Sequence, residues 1–157
     1  MLKKVSAKKI SARGRRFAIV ASKYNARYVD AMLRAAKAEI LRAGGRLEII
    51  RVPGAYEIPV VVARLARSEN FAGIICLGVI LRGATTHAQH IGEAVSYALA
   101  QIQIQHETPV IHEVLLLENV GQAKERCLAK KHNRGTEAAQ TAIEMAQVMA
   151  EIPGGNF

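Results

Sequence analysis

Four apolar runs along the chain are bounded by polar or turn-forming residues. They cover residues 17–21, 47–52, 72–81 and 109–117. The first and third runs show almost no alternation of apolar and polar positions, which is typical of strands that are covered on both faces. The pattern therefore predicts four strands, with the third at the centre of a sheet.

Apolar residues recur at helical spacing in segments 29–40, 58–65, 91–102 and 139–149, which predicts four amphipathic helices. Asn25 is expected to cap the first of them, and Thr85 or Thr86 the third. Asn119, with Gln122 three residues later, resembles a capping box. It predicts a further short helix that ends at about residue 129.

Strands and helices alternate along the chain, which favours parallel strands joined by right-handed crossovers, with helices on both faces of one sheet. The sequence therefore predicts the α/β class, as a three-layer α/β/α arrangement with a four-stranded parallel sheet. This is a flavodoxin-like or Rossmann-like single domain, in keeping with a length of 157 residues. We expect the domain to span residues 17–157, after an extended basic leader at residues 1–16.

The charge of the chain is compatible with several kinds of partner. Lys and Arg number 22 against 13 Asp and Glu, a formal net charge of +9. Many of the basic residues lie within the first sixteen positions, and aromatic residues make up only 4% with no Trp, which weakens a nucleic-acid interpretation. Attraction of small anions such as phosphates and simple solubility remain as explanations. We therefore expect no nucleic-acid partner.

The sequence contains no pattern typical of a membrane or metal protein. No apolar run approaches the ~20 residues of a transmembrane helix, and the basic leader lacks the core of a signal peptide. Cys76 and Cys127 have neither C-x-x-C spacing nor a ligand cluster around them. We expect a cytoplasmic protein without membrane contact, disulfide or metal.

Ligands of such folds bind at the carboxyl ends of the strands, and the loop at residues 82–87 is the most informative of those ends. Its Gly and two Thr lead into a helix, where backbone N–H groups and the helix dipole bind phosphate, although Thr there is more often only a cap. His87 follows and can transfer protons near neutral pH or simply pack over the helix start. His90, one turn later, is expected to be a polar residue of the exposed face.

Other strand ends carry polar or aromatic residues with two interpretations each. Glu57 follows a Pro-Gly turn and either caps the next helix or accepts hydrogen bonds from a ligand. Arg126 belongs to a basic cluster that is either a solvated face or a phosphate partner. Tyr24 and His112 are either packing elements or stacking surfaces.

Four segments together resemble the lumazine synthase family, in the same order and with similar spacing. They are residues 52–59 (VPGAYEIP), 81–87 (LRGATTH), 118–126 (ENVGQAKER) and 133–139 (NRGTEAA). The resemblance extends from about Phe17 to Met149. It implies a transferase of riboflavin biosynthesis that condenses 5-amino-6-(D-ribitylamino)uracil with 3,4-dihydroxy-2-butanone 4-phosphate, releasing phosphate and water, without a metal or other cofactor.

The resemblance also implies roles for particular residues. His87 becomes the general acid/base of imine formation, phosphate elimination and ring closure, while Ala84, Thr85 and Arg126 bind the phosphate of the butanone. Tyr24 stacks on the pyrimidine. The full set of positions implied to contact ribitylaminouracil is Tyr24, Ala55, Tyr56, Glu57, Val79, Ile80, Leu81 and His112.

His112 stands where the family usually presents Phe from the neighbouring subunit. The resemblance therefore implies a homo-oligomer whose site is completed across an interface. Members of the family form pentamers, and some assemble into sixty-subunit shells; a riboflavin synthase partner is also compatible with the family.

The chain departs from the family pattern in three places. Lys23-Tyr24 replaces Arg followed by Phe or Trp, and His112-Glu113 replaces Phe-Gly. Ala88-Gln89-His90 replaces an aromatic-Asp-aromatic segment, so an acid that could orient His87 is missing. A non-catalytic relative that binds a flavin or lumazine, or that forms a shell, remains the alternative, but the presence of His87 and Arg126 favours the enzyme.

Overall fold

The structure is a computed structural model that describes residues 3–4, 6 and 10–154. The strands are β1 (Arg16–Ser22), β2 (Arg46–Val52), β3 (Gly73–Leu81) and β4 (Val110–Leu117). The helices are α1 (Ala26–Arg42), α2 (Ile58–Arg67), α3 (His87–His106), α4 (Val120–Cys127) and α5 (Arg134–Glu151), with one 3-10 turn at Ala55–Glu57. The predicted strands and helices are all confirmed.

The four strands form one parallel sheet in the order β2-β1-β3-β4. β1 and β3 occupy the centre, and Ile19 of β1 lies opposite Ile75 of β3. Both are fully buried, as expected for strands that have helices on both faces. The predicted three-layer α/β/α domain is confirmed.

Two apolar cores flank the sheet. Phe17 and Ile19 pack with residues of α1 and α5 on one face, whereas Val20 packs with residues of α2 and α3, including Ile58, on the other. Successive strand residues point to opposite faces, so the uninterrupted apolar sequence of β1 supplies both cores.

Helix α5 begins in close contact with α1. A Cβ atom placed on Gly135 would lie 2.0 Å from the backbone oxygen of Met32, so the two helices approach closely only because this residue has no side chain. Asn133 fixes the start of α5 because its Oδ1 accepts from the Gly135 N–H at 2.8 Å and its Nδ2 donates to the Cys127 carbonyl at 2.8 Å.

The end of the predicted basic leader is joined to the domain. Ala12 is fully buried, and its N–H donates to the carbonyl of Ala43 at 2.8 Å; Ile10 packs against the same core. Leader residues 1, 2, 5 and 7–9, and residues 155–157 of the predicted domain, lie outside the described residues. The boundary at residue 17 therefore stays a prediction. None of the described helices is both long and apolar enough to cross a membrane.

Candidate active site

Strand β3 extends beyond its neighbour β1 at the carboxyl edge of the sheet. Pairing between the two ends where Ala21 faces Leu77, and β3 continues to Leu81. A cavity of about 860 Å³ opens there between the loop after β1, the 3-10 turn after β2 and the first two turns of α3. This is the edge at which ligands of parallel α/β folds bind.

The cavity brings together most of the residues that the sequence assigned to substrate. Its walls include Tyr24, all three residues of Ala55–Glu57, residues 79–81 and His87. These residues come from four separate parts of the chain. Their convergence agrees with the expected site, and the role of each residue stays a prediction.

Tyr24 lies against the turn after β2. Its N–H donates to the carbonyl of Pro53 at 3.1 Å, and a Cβ atom on Gly54 would lie 2.9 Å from a ring carbon of Tyr24. The absence of a side chain at Gly54 therefore lets the tyrosine ring rest on the turn. The Tyr24 side chain remains largely exposed to the cavity and to solvent.

Glu57 both holds this turn and faces the cavity. Its Oε2 accepts from the N–H of Gly54 at 3.0 Å, so the carboxylate holds the 3-10 turn, whereas the cap to the following helix α2 that the sequence suggested is not made by this side chain. Its Oε1 has no hydrogen-bond partner among the described residues, so one oxygen of the carboxylate remains available to a ligand hydroxyl.

His87 begins α3 at the cavity wall. Its N–H donates to Thr85 Oγ1 at 3.4 Å, while the imidazole ring has no hydrogen-bond partner within the described chain. Thr86 occupies the cap position of α3 but makes no capping bond with its side chain. The side-chain cap predicted at Thr85 or Thr86 is therefore not formed: Thr85 precedes the cap position and only accepts a long bond from the first N–H of α3. The imidazole beside it is available to a ligand.

Sequence reasoning missed His90, Ile91 and Ala94 as cavity residues. His90 is exposed, as expected, but it also lines the cavity, and its Nε2 lies 3.3 Å from Thr86 Oγ1. The three positions follow His87 at intervals of three, four and seven residues, and this spacing places them on one helix face. That spacing was a signal that could have identified them.

Gln89 points to a different partner. Its Oε1 accepts from Arg82 Nη2 at 3.0 Å, and its Nε2 donates to Glu93 Oε1 at 2.7 Å. Arg82 also donates through Nε to Glu118 Oε1 at 3.0 Å. The Gln89 amide therefore forms its hydrogen bonds with Arg82 and Glu93. The absence of an acid at position 89 thus changes the hydrogen bonds of Arg82 more directly than the environment of the His87 ring.

Four predicted site residues do not line the cavity of this chain. Ala84 and Thr85 lie in the exposed turn directly before His87. Arg126 lies half-buried on α4, and His112 lies on the edge strand β4. A single chain thus brings the turn and His87 together, whereas Arg126 on α4 and His112 on the edge strand β4 lie outside the cavity.

The ring of His112 is held in one tautomer. Its Nδ1 accepts from the N–H of Val114 at 3.2 Å, so in the neutral ring Nε2 carries the hydrogen and donates to Ser96 Oγ at 2.7 Å. Ser96 in turn donates to the carbonyl of Gly92 at 2.7 Å. Burial lowers the pKa of His112, opposed by a backbone hydrogen bond, so His112 presents a neutral polar ring at pH 7.

Glu113 faces the opposite side of β4 from His112. Arg134 at the start of α5 donates Nε and Nη2 to its two carboxylate oxygens at 3.1 and 3.0 Å, and Arg134 Nη1 reaches Glu137 at 2.9 Å. Burial raises the pKa of Glu113, while the Arg134 hydrogen bonds oppose the increase. Glu113 therefore serves the contact between β4 and α5.

No cluster of three or more His, Cys, Asp or Glu side chains that could hold a metal occurs within residues 3–4, 6 and 10–154. The two cysteines of the chain are buried thiols. Burial raises the pKa of Cys127 to about 11 and that of Cys76 further still, so neither is a nucleophile at neutral pH.

Comparisons with known proteins agree with the resemblance seen in the motifs. The family model of 6,7-dimethyl-8-ribityllumazine synthase matches residues 14–150. A protein of Aquifex aeolicus (strain VF5) with that name is 42% identical over 147 residues, which cover 92% of this chain and 96% of the relative. One of Stenotrophomonas maltophilia (strain K279a), with the same name, is 37% identical over 141 residues, covering 88% and 91% respectively.

Proposed function

The chain belongs to the 6,7-dimethyl-8-ribityllumazine synthase family and is a transferase of riboflavin biosynthesis, and we propose that the cavity at the carboxyl edge of its sheet is where the reaction occurs. The substrates are 5-amino-6-(D-ribitylamino)uracil and 3,4-dihydroxy-2-butanone 4-phosphate. The observation that carries this assignment is the convergence of Tyr24, the turn Ala55–Glu57, the end of β3 and His87 on one cavity.

The pyrimidine half of the site uses main chain and ring surfaces. Val79, Ile80 and Leu81 line the cavity where β3 has lost its β1 neighbour, so the free strand edge at Leu81 is suited to the N–H and C=O edge of a uracil. The Tyr24 ring offers a stacking surface. The remaining oxygen of Glu57 accepts from ribityl hydroxyls, and a charged acceptor strengthens such hydrogen bonds.

The phosphate half uses the start of α3. Ala84 and Thr85 precede a helix N-terminus, where N–H groups and the helix dipole favour an anion. His87 begins the helix with an unpartnered ring, so it can give and take protons as the imine forms, as phosphate leaves and as the second ring closes. A bound phosphate dianion favours the protonated ring, which couples substrate binding to acid catalysis.

Arg126 and His112 complete the site from a second copy of the chain. Both lie near β4, away from the cavity of their own chain, and both are chemically suited to substrate: a cation for phosphate and a polar ring for the pyrimidine wall. Apolar side chains on α3 are also exposed, with Tyr97 at 71% and Ile104 at 73%. This supports a homo-oligomer, of which the pentamer and the sixty-subunit shell are the family's forms.

The cellular setting follows from the reaction. The lumazine product is consumed by the last step of riboflavin biosynthesis, so riboflavin synthase is the expected partner in the cytoplasm. The net charge of +9 supports attraction of a phosphorylated substrate from solution.

The direct test compares two imidazoles of the same cavity. We expect His87→Ala to lower kcat by about a hundredfold or more, within the range of general acid/base catalysis. His90→Ala, the matched control one turn later on α3, should change kcat by less than about threefold because its ring is engaged with Thr86. The measurement is lumazine absorbance, with an enzyme-free blank subtracted.

Equal kcat for the His87 variant and the wild type would remove His87 from the mechanism. Lack of lumazine formation by a correctly assembled wild-type protein, with retained binding of lumazine, would instead support the non-catalytic relative.

A further inference from the structure

Asn25 directly precedes α1, but its backbone is not helical. Its φ of 56° and ψ of 41° lie in the left-handed region, and its side chain makes no cap to α1. The predicted side-chain cap is therefore wrong. Asn tolerates this region better than most residues do, and the conformation directs its amide across the cavity edge instead.

The amide of Asn25 binds strand β3. Its Nδ2 donates to the carbonyl oxygen of Val79 at 2.7 Å. In a strand, successive residues direct their N–H and C=O groups to opposite neighbours. Leu77 is the last β3 residue paired with β1, so Val79 and then Leu81 direct these groups to the side where β1 has ended. The Asn25 amide occupies the acceptor at Val79 in place of a further β1 residue.

The loop that carries Asn25 is also held on its other side. Arg51 of β2 donates Nε to the carbonyl of Ala21 at 3.2 Å and Nη2 to that of Ser22 at 3.0 Å. Asp30 of α1 lies 2.8 Å from the same guanidinium. Arg51 therefore fixes the end of β1, where the loop begins, and the Lys23 N–H joins the loop to the Val52 carbonyl at 2.8 Å. Together with the bond from Asn25 to β3, these contacts set the position of the amide before any ligand arrives.

We propose that Asn25 is a positioning residue that sets the register of the pyrimidine along β3. This inference rests on the proposed function. An unpaired strand edge offers a uracil two equivalent positions, at Val79 and at Leu81, which are about 7 Å apart along the strand. Asn25 binds the Val79 carbonyl and itself lines the cavity, so it closes the first position. The heterocycle is confined to the second, close to His87 at the start of α3.

Two substitutions distinguish the role of the Asn25 amide from that of the left-handed backbone conformation. Asn25→Gly keeps full tolerance of the left-handed region and removes the amide, and Asn25→Asp keeps the shape but replaces the donor by an acceptor. For both variants we expect KM for ribitylaminouracil to rise about tenfold. This factor corresponds to the loss of one hydrogen bond, with the pyrimidine able to bind at the wrong position along β3. KM for the butanone phosphate should stay within about twofold, and the melting temperature should stay near that of the wild type.

The acid variant provides a further signature. At pH 7 the carboxylate introduced by Asn25→Asp cannot donate, but after protonation it can donate to the Val79 carbonyl. Lumazine affinity of Asn25→Asp relative to Asn25→Gly should therefore rise as the pH falls from 7 towards 4, because the ordinary pKa of an aspartic acid is about 3.9. The other titratable groups of the cavity, and the nearby Arg51 and Asp30, are common to both variants. Their effects on lumazine affinity therefore cancel in the ratio of the two affinities. Those cavity groups are Glu57, His87, His90 and the phenols of Tyr24 and Tyr56.

Wild-type KM values for both substrates in the two variants would overturn the proposal, as would equal losses in both KM values, which indicate a general structural role. A wild-type protein that forms no lumazine would contradict the proposed function itself. The two failures are therefore distinguishable.

Discussion

At the scale of single residues, the ion pair of Glu113 and Arg134 places a carboxylate in a buried position outside the cavity. Glu113 is 6% exposed, and removal of a carboxylate from water is costly unless it is paired and hydrogen-bonded. Arg134 donates to both carboxylate oxygens in a bidentate hydrogen bond. A guanidinium can form this geometry, whereas a lysine ammonium is less suited to it. We infer that the pair is interdependent: Glu113 is tolerated in the folded chain because Arg134 is present.

Arg134→Met should therefore destabilise the protein by about 3–5 kcal/mol at pH 7 to 8, because it leaves a buried carboxylate unpaired. The loss should be smaller at pH 5. Burial already raises the pKa of Glu113 against the opposing Arg134, and without Arg134 the folded-state pKa rises further. A folded-state pKa above the unfolded value adds stability at low pH that is lost as pH rises through it.

The measurement is urea unfolding at pH 5 and pH 8 with the protein concentration held constant, since association also affects stability. The double variant Arg134→Met with Glu113→Gln removes the charge and should recover most of the loss and its pH dependence. A loss in the single variant that is the same at both pH values would show that the unpaired carboxylate is not its cause.

Single residues also show where sequence reasoning was sufficient. His87 and Glu57 could be recognised because each follows a turn with its own local pattern, and Asn119 caps α4 as predicted, accepting from Gln122 N at 3.0 Å. Asn25 could not be placed from the sequence, since its partner Val79 is 54 positions away and is exposed to it only because β1 is shorter than β3.

At the scale of elements, the strands were predictable to within one residue because β1 and β3 are buried on both faces and leave no polar alternation. Close packing of α1 against α5 was not predictable. It depends on Gly135, whose sequence context is that of an ordinary residue near a helix start. The tertiary contact, and not the local conformation, excludes a side chain there.

We expect Gly135→Ala to be severely destabilising, by about 3 kcal/mol or more, because the added Cβ meets a backbone oxygen that a rotamer change cannot move. Gly92→Ala on α3 is the matched control. Its Cβ would make only ordinary contacts of 3.6 and 3.7 Å with Leu116, and Ala is favoured over Gly within a helix by about 0.5–1 kcal/mol.

Thermal and urea unfolding of the two variants give the comparison. A Gly135 variant as stable as the wild type would mean that α5 can move away from α1 at little cost, which would contradict the close approach of the helices described above.

At the scale of the whole molecule, the distribution of site residues over the sheet is the main feature. The cavity lies beyond β1 and beside the end of β3, while His112 and Arg126 lie on and next to the edge strand β4. One copy therefore provides a cavity at one place and complementary groups at another. Such an arrangement fits a head-to-tail interface, and head-to-tail interfaces close into rings when the rotation between copies allows it.

This arrangement predicts complementation between two defective variants. His87→Ala and Arg126→Ala should each have low activity alone, because every site lacks one of the two groups. In oligomers that contain both variants, some sites combine the intact Arg126 of one chain with the intact His87 of its neighbour. With random mixing each of the two positions is intact with a probability of one half, so about a quarter of the sites, and about a quarter of wild-type activity, should return.

The experiment co-expresses the two variants with different tags, isolates oligomers that carry both tags, and measures lumazine formation per site. Oligomers doubly tagged but built from His87→Ala alone serve as the control and should stay inactive. If His87 and Arg126 of the same chain formed one site, no mixed oligomer would contain an intact site, and activity would remain at the level of the single variants. Recovery thus depends on the separation of the cavity from β4 and α4, the feature that the fold of one chain imposes.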